Sequence, residues 1–163
     1  MSVKILENYI EMKEIEIGDN LPDFSLKNQD EVLVHSRDWI GQPVVIYFYP
    51  DDFTRICTAQ ACAFRNRFDD FEGYHVKVIG ISHNDTASHK KFATAYQLPF
   101  DILSDSNNAV RNLFAVPKGV LGLVSGRVTY VFDAKGKLVF RYHADIKAKE
   151  HVKKALEAIK IYT

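Results

Sequence analysis

The feature that most constrains this fold is an unbroken apolar run at residues 44–49, Val-Val-Ile-Tyr-Phe-Tyr, which ends at Pro50. β-branched and aromatic residues are enriched in strands, and a short continuous apolar run indicates a strand that is buried on both faces. Strands of this kind lie in sheets that helices cover on both sides. The run therefore predicts an α/β fold with a buried central strand.

Segments on either side of this run alternate between strand and helix patterns. Strands are predicted at residues 24–26, 32–35, 44–49, 76–81, 100–103, 128–132 and 137–143, and helices at residues 57–71, 88–96, 107–114 and 148–161. The first two strands form an N-terminal hairpin and the last two form another. This alternation predicts a central mixed sheet flanked by helices, with a largely parallel centre and an antiparallel edge. We assign residues 1–15 to an N-terminal extension and residues 16–163 to one domain.

Charge and hydropathy argue against several classes of protein. The chain has 21 basic and 21 acidic residues, so electrostatics gives no reason to expect a nucleic acid or an anionic membrane as partner. No apolar run reaches the roughly 18 residues that a membrane span needs. Residues 1–16 mix charged and apolar side chains and lack the apolar core of a secretory signal. The sequence therefore predicts a cytoplasmic location.

The chain has two cysteines, Cys57 and Cys62, and both follow the buried strand directly. Two cysteines are too few for a disulfide-stapled scaffold, and a close pair in a reducing compartment indicates redox chemistry or a metal. None of the six histidines lies at a metal-ligand spacing from them, so we expect no metal and no cofactor. In open α/β sheets, sites form beyond the carboxyl ends of the strands, where these cysteines lie.

Residues around Cys57 are of the types that activate a thiol. Thr54 is a good N-cap residue, and a helix that begins after it places Cys57 in the first turn. Free backbone N–H groups and the helix dipole favour a thiolate there. Pro50 has no N–H and a fixed φ, so it can form a pocket wall without competing for the sulfur. Arg127, at the mouth of an apolar strand, needs a partner and would stabilise a thiolate or a developing oxyanion.

The pattern Pro-x-x-x-Thr-x-x-Cys at Pro50, Thr54 and Cys57, with Cys62 and the distal Arg127, resembles the peroxiredoxins. Within that family it is most similar to the Q-type, or bacterioferritin comigratory protein, subfamily. The resemblance extends from about residue 17 to the C-terminal helix, with matching segments at residues 18–24, 47–50, 79–82, 98–100, 103–105 and 127–133. It departs from the family at Arg55 and Ile56, where Pro-Gly is common, and at Gln60, where Glu is usual.

The resemblance implies a thioredoxin-like fold and a thiol-dependent peroxidase that reduces hydrogen peroxide and organic hydroperoxides. Cys57 would be the peroxidatic cysteine and Cys62 the resolving cysteine. Thr54 would hydrogen-bond the sulfur and the peroxide, Pro50 would shield them, and Arg127 would stabilise the thiolate and the transition state. Cys57 would become a sulfenic acid, form a disulfide with Cys62 and be recycled by thioredoxin or a similar dithiol. The Q-type resemblance and the short C-terminus favour a monomer.

Helix geometry adds an expectation about the two cysteines. Residues five apart on an intact helix have Cα atoms roughly 8–9 Å apart, whereas a disulfide needs them within about 7 Å. The first turns of the helix must therefore unwind when the disulfide forms.

Two other functions remain open from the sequence. A thioredoxin-like disulfide oxidoreductase normally uses Cys-x-x-Cys, and the four-residue gap here speaks against it. A non-catalytic redox sensor would use the Cys57–Cys62 switch to alter a surface that binds a partner. The sensor and the peroxidase both need a reactive thiolate, so the sequence separates them poorly.

Overall fold

In the computed structural model, the described part of the chain is residues 13–162, and it contains a sheet of seven strands with helices on both faces. The strands are β1 (Ser25–Asn28), β2 (Leu33–His35), β3 (Val44–Phe48), β4 (Lys77–Ser82), β5 (Asp101–Ser104), β6 (Val128–Phe132) and β7 (Leu138–His143). The helices are α1 (Arg55–Asn66), α2 (Phe68–Gly73), α3 (Thr86–Tyr96), α4 (Ala109–Leu113) and α5 (Ala148–Tyr162), with 3-10 turns at Ser36–Trp39 and Val120–Gly122.

Strand order in the sheet is β2-β1-β5-β4-β3-β6-β7, and this mixed sheet confirms the predicted α/β class. Strand β3 is parallel to β4 and antiparallel to β6, and all five of its residues are buried. Strands β1 and β2 form the predicted N-terminal hairpin, and β6 and β7 form the antiparallel edge. The apolar run at residues 44–49 therefore lies near the centre of the sheet, as its composition predicts.

Alternate side chains of β3 point to two different apolar clusters, one on each face of the sheet. Val45 and Tyr47 pack in the cluster that includes side chains of α1, α3 and α5. Val44, Ile46 and Phe48 pack in the other cluster, together with residues from the 3-10 turn and α4. This period-two alternation is what a strand covered on both faces requires. It leaves the carboxyl end of β3 open to a loop that leads into α1.

The helix predicted at residues 57–71 differs from the structure in two respects. It begins at Arg55, and it breaks at Arg67, whose backbone (φ −109°, ψ 11°) leaves the helical region. Phe64 before the break and Phe71 after it are both fully buried in the same cluster and lie 5.7 Å apart between ring centroids. The break therefore turns the chain so that both rings reach one core.

The predicted N-terminal extension lies mainly outside the described residues. Its described end contacts the sheet. Ile15 donates a backbone hydrogen bond to the Phe114 carbonyl at 3.4 Å, and Glu14 forms an ion pair with Arg141 at 3.2 Å. Within the described range, no helix is long and apolar enough to cross a membrane.

Candidate active site

The loop after β3 delivers Cys57 to the carboxyl end of the sheet. Helix α1 begins at Arg55 with Thr54 as its extended N-cap residue, which makes Cys57 the third helical residue, as predicted. The residue is 1% exposed. The thiol therefore lies in the first turn, where free N–H groups and the helix dipole favour its anionic form.

Thr54 occupies the N-cap position without using its side chain as a cap. Its Oγ1 donates to the Asp51 carbonyl at 3.1 Å, and no N–H of α1 donates to it. The Thr54 backbone carbonyl accepts from Thr58 N–H at 2.9 Å and so starts the helix. The hydroxyl is thus turned toward its own loop in this structure, and the expected bond from Thr54 to the sulfur is not among the hydrogen bonds of the site.

Arg127 reaches the sulfur from the neighbouring strand. It precedes Val128, which pairs with Phe48 at the carboxyl end of β3, and it is 2% exposed. Its Nη2 donates to Cys57 Sγ at 3.1 Å and its Nε donates to the Asp145 carbonyl at 3.1 Å. Its Nη1 donates to Gln60 Oε1. Since both oxygen acceptors are neutral, the guanidinium keeps its positive charge facing the sulfur, and that charge favours the thiolate.

The sequence analysis identifies Gln60 only as a departure from the peroxiredoxin pattern and assigns it no role, although its spacing from Cys57 indicates one. Residues three apart on a helix share a face, so Gln60 follows Cys57 on the buried side of α1. The side chain is fully buried, and its Nε2 has no hydrogen-bond partner among the described residues. A buried polar side chain one turn from a reactive cysteine is an indication of a role beside it. In the structure, that role is to hold Arg127.

A second arginine that the sequence patterns miss fixes the backbone around the site. Arg111 on α4 is buried, and its guanidinium donates to the Gly126 carbonyl at 3.0 Å and to the Tyr49 carbonyl at 3.3 Å. Burial lowers the pKa of Arg111 below its ordinary value, and the charge of Asp105 opposes that change. These two carbonyls precede Pro50 and Arg127. Arg111 therefore ties together the two segments that carry the site.

Gly126, next to Arg127, allows the close approach that this arrangement needs. A Cβ atom at this position would lie 1.9 Å from the Pro117 carbonyl oxygen, closer than any packed pair of atoms. The segment before β6 can therefore lie against residue 117 only with glycine here.

A cavity of about 300 Å³ opens over Cys57. Its lining includes Pro50, Thr54, Arg55, Ile56, Cys57, Val120, Val124, Ser125, Arg127, Asp145 and Ile146. The cavity thus has the Arg127 guanidinium beside the sulfur, and aliphatic side chains form a large part of its remaining wall. Among residues 13–162, no His, Cys, Asp or Glu residues group as metal ligands would.

The structure therefore gathers Pro50, Thr54, Cys57 and Arg127 around one cavity and leaves Cys62 outside its lining. Cys62 is half-buried, lies further along the same intact helix, and both cysteines are free thiols. Arg55 is exposed and also lines the cavity. A disulfide between the two cysteines would need a different conformation of α1.

Comparisons with known proteins agree with this arrangement. Residues 17–141 match the model of the AhpC/TSA family. Peroxiredoxin Q, chloroplastic, from Triticum aestivum is 44% identical over 142 residues, which cover 87% of this chain and 65% of that protein. The chain therefore spans about two thirds of this relative's length.

Two solved structures share the fold. Peroxidoxin BcpB from Mycobacterium tuberculosis superposes with a TM-score of 0.84 at 29% identity, covering 92% of this chain and 99% of that one. The bacterioferritin comigratory protein of Xanthomonas campestris, solved to study its alkyl peroxide reduction, superposes with a TM-score of 0.80 at 26% identity, covering 88% and 99%. These similarities confirm the predicted thioredoxin-like fold.

The same relatives show that the predicted cytoplasmic location is wrong. Peroxiredoxin Q proteins from wheat, rice, poplar and Arabidopsis thaliana, similar to this chain, are chloroplastic. The prediction depended on the lack of an apolar secretory signal. Plastid transit segments are amphipathic and rich in Arg and Ser, so the lack of an apolar segment does not distinguish cytoplasm from plastid.

Proposed function

This chain belongs to the AhpC/TSA family, as a peroxiredoxin of the Q type, and from this we propose that it is a thiol-dependent peroxidase with Cys57 as its peroxidatic cysteine. The observation that carries the proposal is the 3.1 Å contact between Arg127 Nη2 and Cys57 Sγ on the wall of an open cavity. A buried thiol that faces a guanidinium and a helix N-terminus has the environment of a nucleophile rather than of a packing residue.

In the first step, the Cys57 thiolate attacks one peroxide oxygen in line with the O–O bond. The S–O bond forms as the O–O bond breaks, and the leaving oxygen takes a proton to depart as water or an alcohol. Arg127 and the Cys57 backbone N–H stabilise the charge that moves to that oxygen. Thr54 and Pro50 line the cavity where the peroxide would lie, and there they would orient and shield it. Cys57 is oxidised to a sulfenic acid.

In the second step, the Cys62 thiol condenses with the sulfenic acid, a disulfide forms and water leaves. Because α1 holds both cysteines in one intact helix, its first turns must open before the sulfurs meet. Thioredoxin or a similar dithiol then reduces the disulfide by exchange.

The cavity walls support organic hydroperoxides as substrates beside hydrogen peroxide. Ile56, Val120, Val124 and Ile146 surround the sulfur with aliphatic side chains, and Ile146 is 71% exposed at the rim. A substrate with an apolar substituent would cover these side chains and gain the free energy of burying them. The alkyl peroxide reduction studied in the Xanthomonas relative is in line with this substrate class.

The chloroplastic relatives support a plastid location for this chain. We propose a monomer as the working form, and sedimentation velocity across a range of concentrations would test it.

The proposal is tested by a coupled assay in which thioredoxin, its reductase and NADPH recycle the protein during peroxide reduction. Wild type should turn over many equivalents of peroxide, and Cys57→Ser should turn over none because the nucleophile is gone. Cys62→Ser should still form one equivalent of sulfenic acid but lose thioredoxin-dependent turnover. Activity retained by Cys57→Ser would refute the proposal. A redox sensor would instead consume about one equivalent and stop.

A further inference from the structure

A buried carboxylate lies in the middle of the loop that carries Pro50 and Thr54. Asp52 is 6% exposed and takes no part in the steps described above. Its Oδ1 accepts from the Tyr49 hydroxyl at 2.6 Å. Its Oδ2 accepts from the Ser88 hydroxyl at 2.8 Å and lies 2.8 Å from His89 Nδ1. Both carboxylate oxygens are thus held by side chains from the end of β3 and from α3.

Tyr49 stays a donor in this cluster. Burial raises the pKa of Tyr49 well above its ordinary value, and the negative charge of Asp52 is the next largest cause. The phenol therefore keeps its proton, which lies on the short bond to Asp52.

His89 connects the carboxylate to a third element. The side chain is fully buried on α3, and its Nε2 lies 3.1 Å from the Leu103 carbonyl on β5. An Asp52 carboxyl oxygen and the Leu103 carbonyl thus lie within hydrogen-bond distance of the two ring nitrogens. His89 therefore connects the Asp52 side chain to β5 through one buried ring.

The loop around Asp52 is also fixed through its backbone. Asp52 N–H donates to Asn84 Oδ1 at 3.0 Å, and Asn84 Nδ2 donates to Asp51 Oδ1 at 2.6 Å. Asp52 lies two residues after Pro50 and two before Thr54, and both of those residues line the cavity over Cys57.

We infer that Asp52, held by Tyr49, Ser88 and His89, is a positioning residue that sets the place of Pro50 and Thr54 for the reaction with peroxide. The inference rests on the proposed peroxidase function and goes beyond it, because none of these four side chains contacts the sulfur in the hydrogen bonds of the site. Attack on peroxide needs both oxygens aligned between the sulfur and its donors, so a small shift of the loop is costly.

Alkylation and oxidation by peroxide make different demands on the surroundings of Cys57. Alkylation by iodoacetamide needs only a thiolate, which Arg127 and the start of α1 favour. Reaction with peroxide needs the thiolate and the correctly placed loop as well. Loss of the Asp52 contacts should therefore slow the reaction with peroxide and leave alkylation unchanged, a pattern that general loss of structure would not give.

Tyr49→Phe removes one donor to Asp52, and Tyr47→Phe is its matched control. Both tyrosines are fully buried, but the Tyr47 hydroxyl has no hydrogen-bond partner among the described residues. In stopped-flow measurements with hydrogen peroxide, we expect Tyr49→Phe to lower the second-order rate constant about tenfold or more. Tyr47→Phe should stay within about twofold of wild type, and iodoacetamide should alkylate all three proteins at the same rate.

His89→Gln provides a second variant, because glutamine keeps a hydrogen-bond donor but lacks the rigid ring whose two nitrogens face Asp52 and the Leu103 carbonyl. It should show the same selective loss of the reaction with peroxide, with alkylation by iodoacetamide unchanged. Equal peroxide rate constants for wild type, Tyr49→Phe and His89→Gln would overturn the inference, as would an equal slowing of alkylation. If wild type itself failed to react with peroxide, the proposed function would be wrong and this inference would fall with it.

Discussion

Arg127 donates from all three of its guanidinium nitrogens, to Cys57, to Gln60 and to the Asp145 carbonyl. A lysine ammonium at the same place would carry the same charge without the planar fork that meets three acceptors at once. The orientation of the charge, and not only its presence, is therefore what this side chain supplies to the sulfur.

Arg127→Lys should lower the rate constant for peroxide about a hundredfold, because a donor aimed at the developing charge is lost. Stopped-flow kinetics with hydrogen peroxide and with an alkyl hydroperoxide would measure the effect. Arg37→Lys is the matched control, since Arg37 is exposed and its nearest carboxylate, on Asp23, is 3.9 Å away. A rate constant for Arg127→Lys within a few-fold of wild type would contradict the role given to Arg127.

Several residues of the site are predictable from the sequence. Others are not, because their contacts depend on how distant parts of the chain pack. Cys57 and Arg127 stand out because a helix start activates a thiol and an arginine at a buried strand needs a partner. The pairing of Asp52 with His89 spans 37 residues and depends on how α3 packs against β5. Local sequence patterns do not determine that packing, so they do not distinguish Asp52 from an exposed acidic residue.

At the scale of elements, α1 has two parts with different attachments. Ala61 and Phe64 are buried in the core, whereas Arg55 is exposed and Ile56 only half-buried. The helix also packs against α5. Opening of the first turns therefore exposes less apolar surface than opening of the second half. The first turns are also the part of α1 that must unwind for Cys57 to reach Cys62.

Oxidation should accordingly expose the backbone of residues 57–65 to exchange. We expect hydrogen–deuterium exchange there to be faster in the disulfide form than in the dithiol form, because helical hydrogen bonds must break to bring the sulfurs together. Strand β4, which is buried next to β3, serves as the internal control and should exchange equally slowly in both forms. Equal protection of residues 57–65 in the two forms would contradict the unwinding.

Local sequence patterns predict the order of helices and strands better than they predict where each element ends. The strand–helix order and both hairpins follow from periodicity and turn residues, which act locally. The break at Arg67 and the 3-10 turn at Ser36–Trp39 do not. In the second case, Ser36 Oγ accepts from Phe24 N–H at 2.9 Å and donates to the Pro22 carbonyl at 2.9 Å, contacts that exist only once β1 and β2 have paired.

For the molecule as a whole, one buried histidine links α5 to the sheet and makes stability depend on pH. His151 is fully buried, with Nε2 2.7 Å from the Ala144 carbonyl and Nδ1 2.8 Å from Thr129 Oγ1. Burial lowers the pKa of His151 from 6.5 to about 4, and the hydrogen bond to Ala144 opposes that change. The folded protein therefore holds the neutral ring, which donates from Nε2 and accepts at Nδ1.

An unfolded chain takes up a proton on this ring near pH 6.5, and the folded chain does so only near pH 4. The stability that His151 contributes is therefore fully present above pH 6.5 and is lost as the pH falls toward 4. Between pH 7 and pH 5 we expect the free energy of unfolding to fall by about 2 kcal/mol through this group. Urea unfolding at several pH values would measure it.

His151→Gln should remove this part of the pH dependence, although it should also lower stability at pH 7. His75→Gln is the control and should leave the slope unchanged, because His75 is exposed and its side chain forms no ion pair within the described residues. A slope between pH 7 and pH 5 that is the same in wild type and His151→Gln would show that the ring does not titrate as described.

The distance along the chain between Cys57 and Arg127 has a consequence for how the protein is made. Seventy residues separate them, so at 5–20 residues per second the cysteine precedes its arginine by roughly 4–14 s during synthesis. Until β6 pairs with β3, the sulfur lacks the guanidinium and has the reactivity of an ordinary thiol. A chain that is still growing therefore carries a less reactive Cys57, and the proposed peroxidase gains its full reactivity only when β6 has paired with β3.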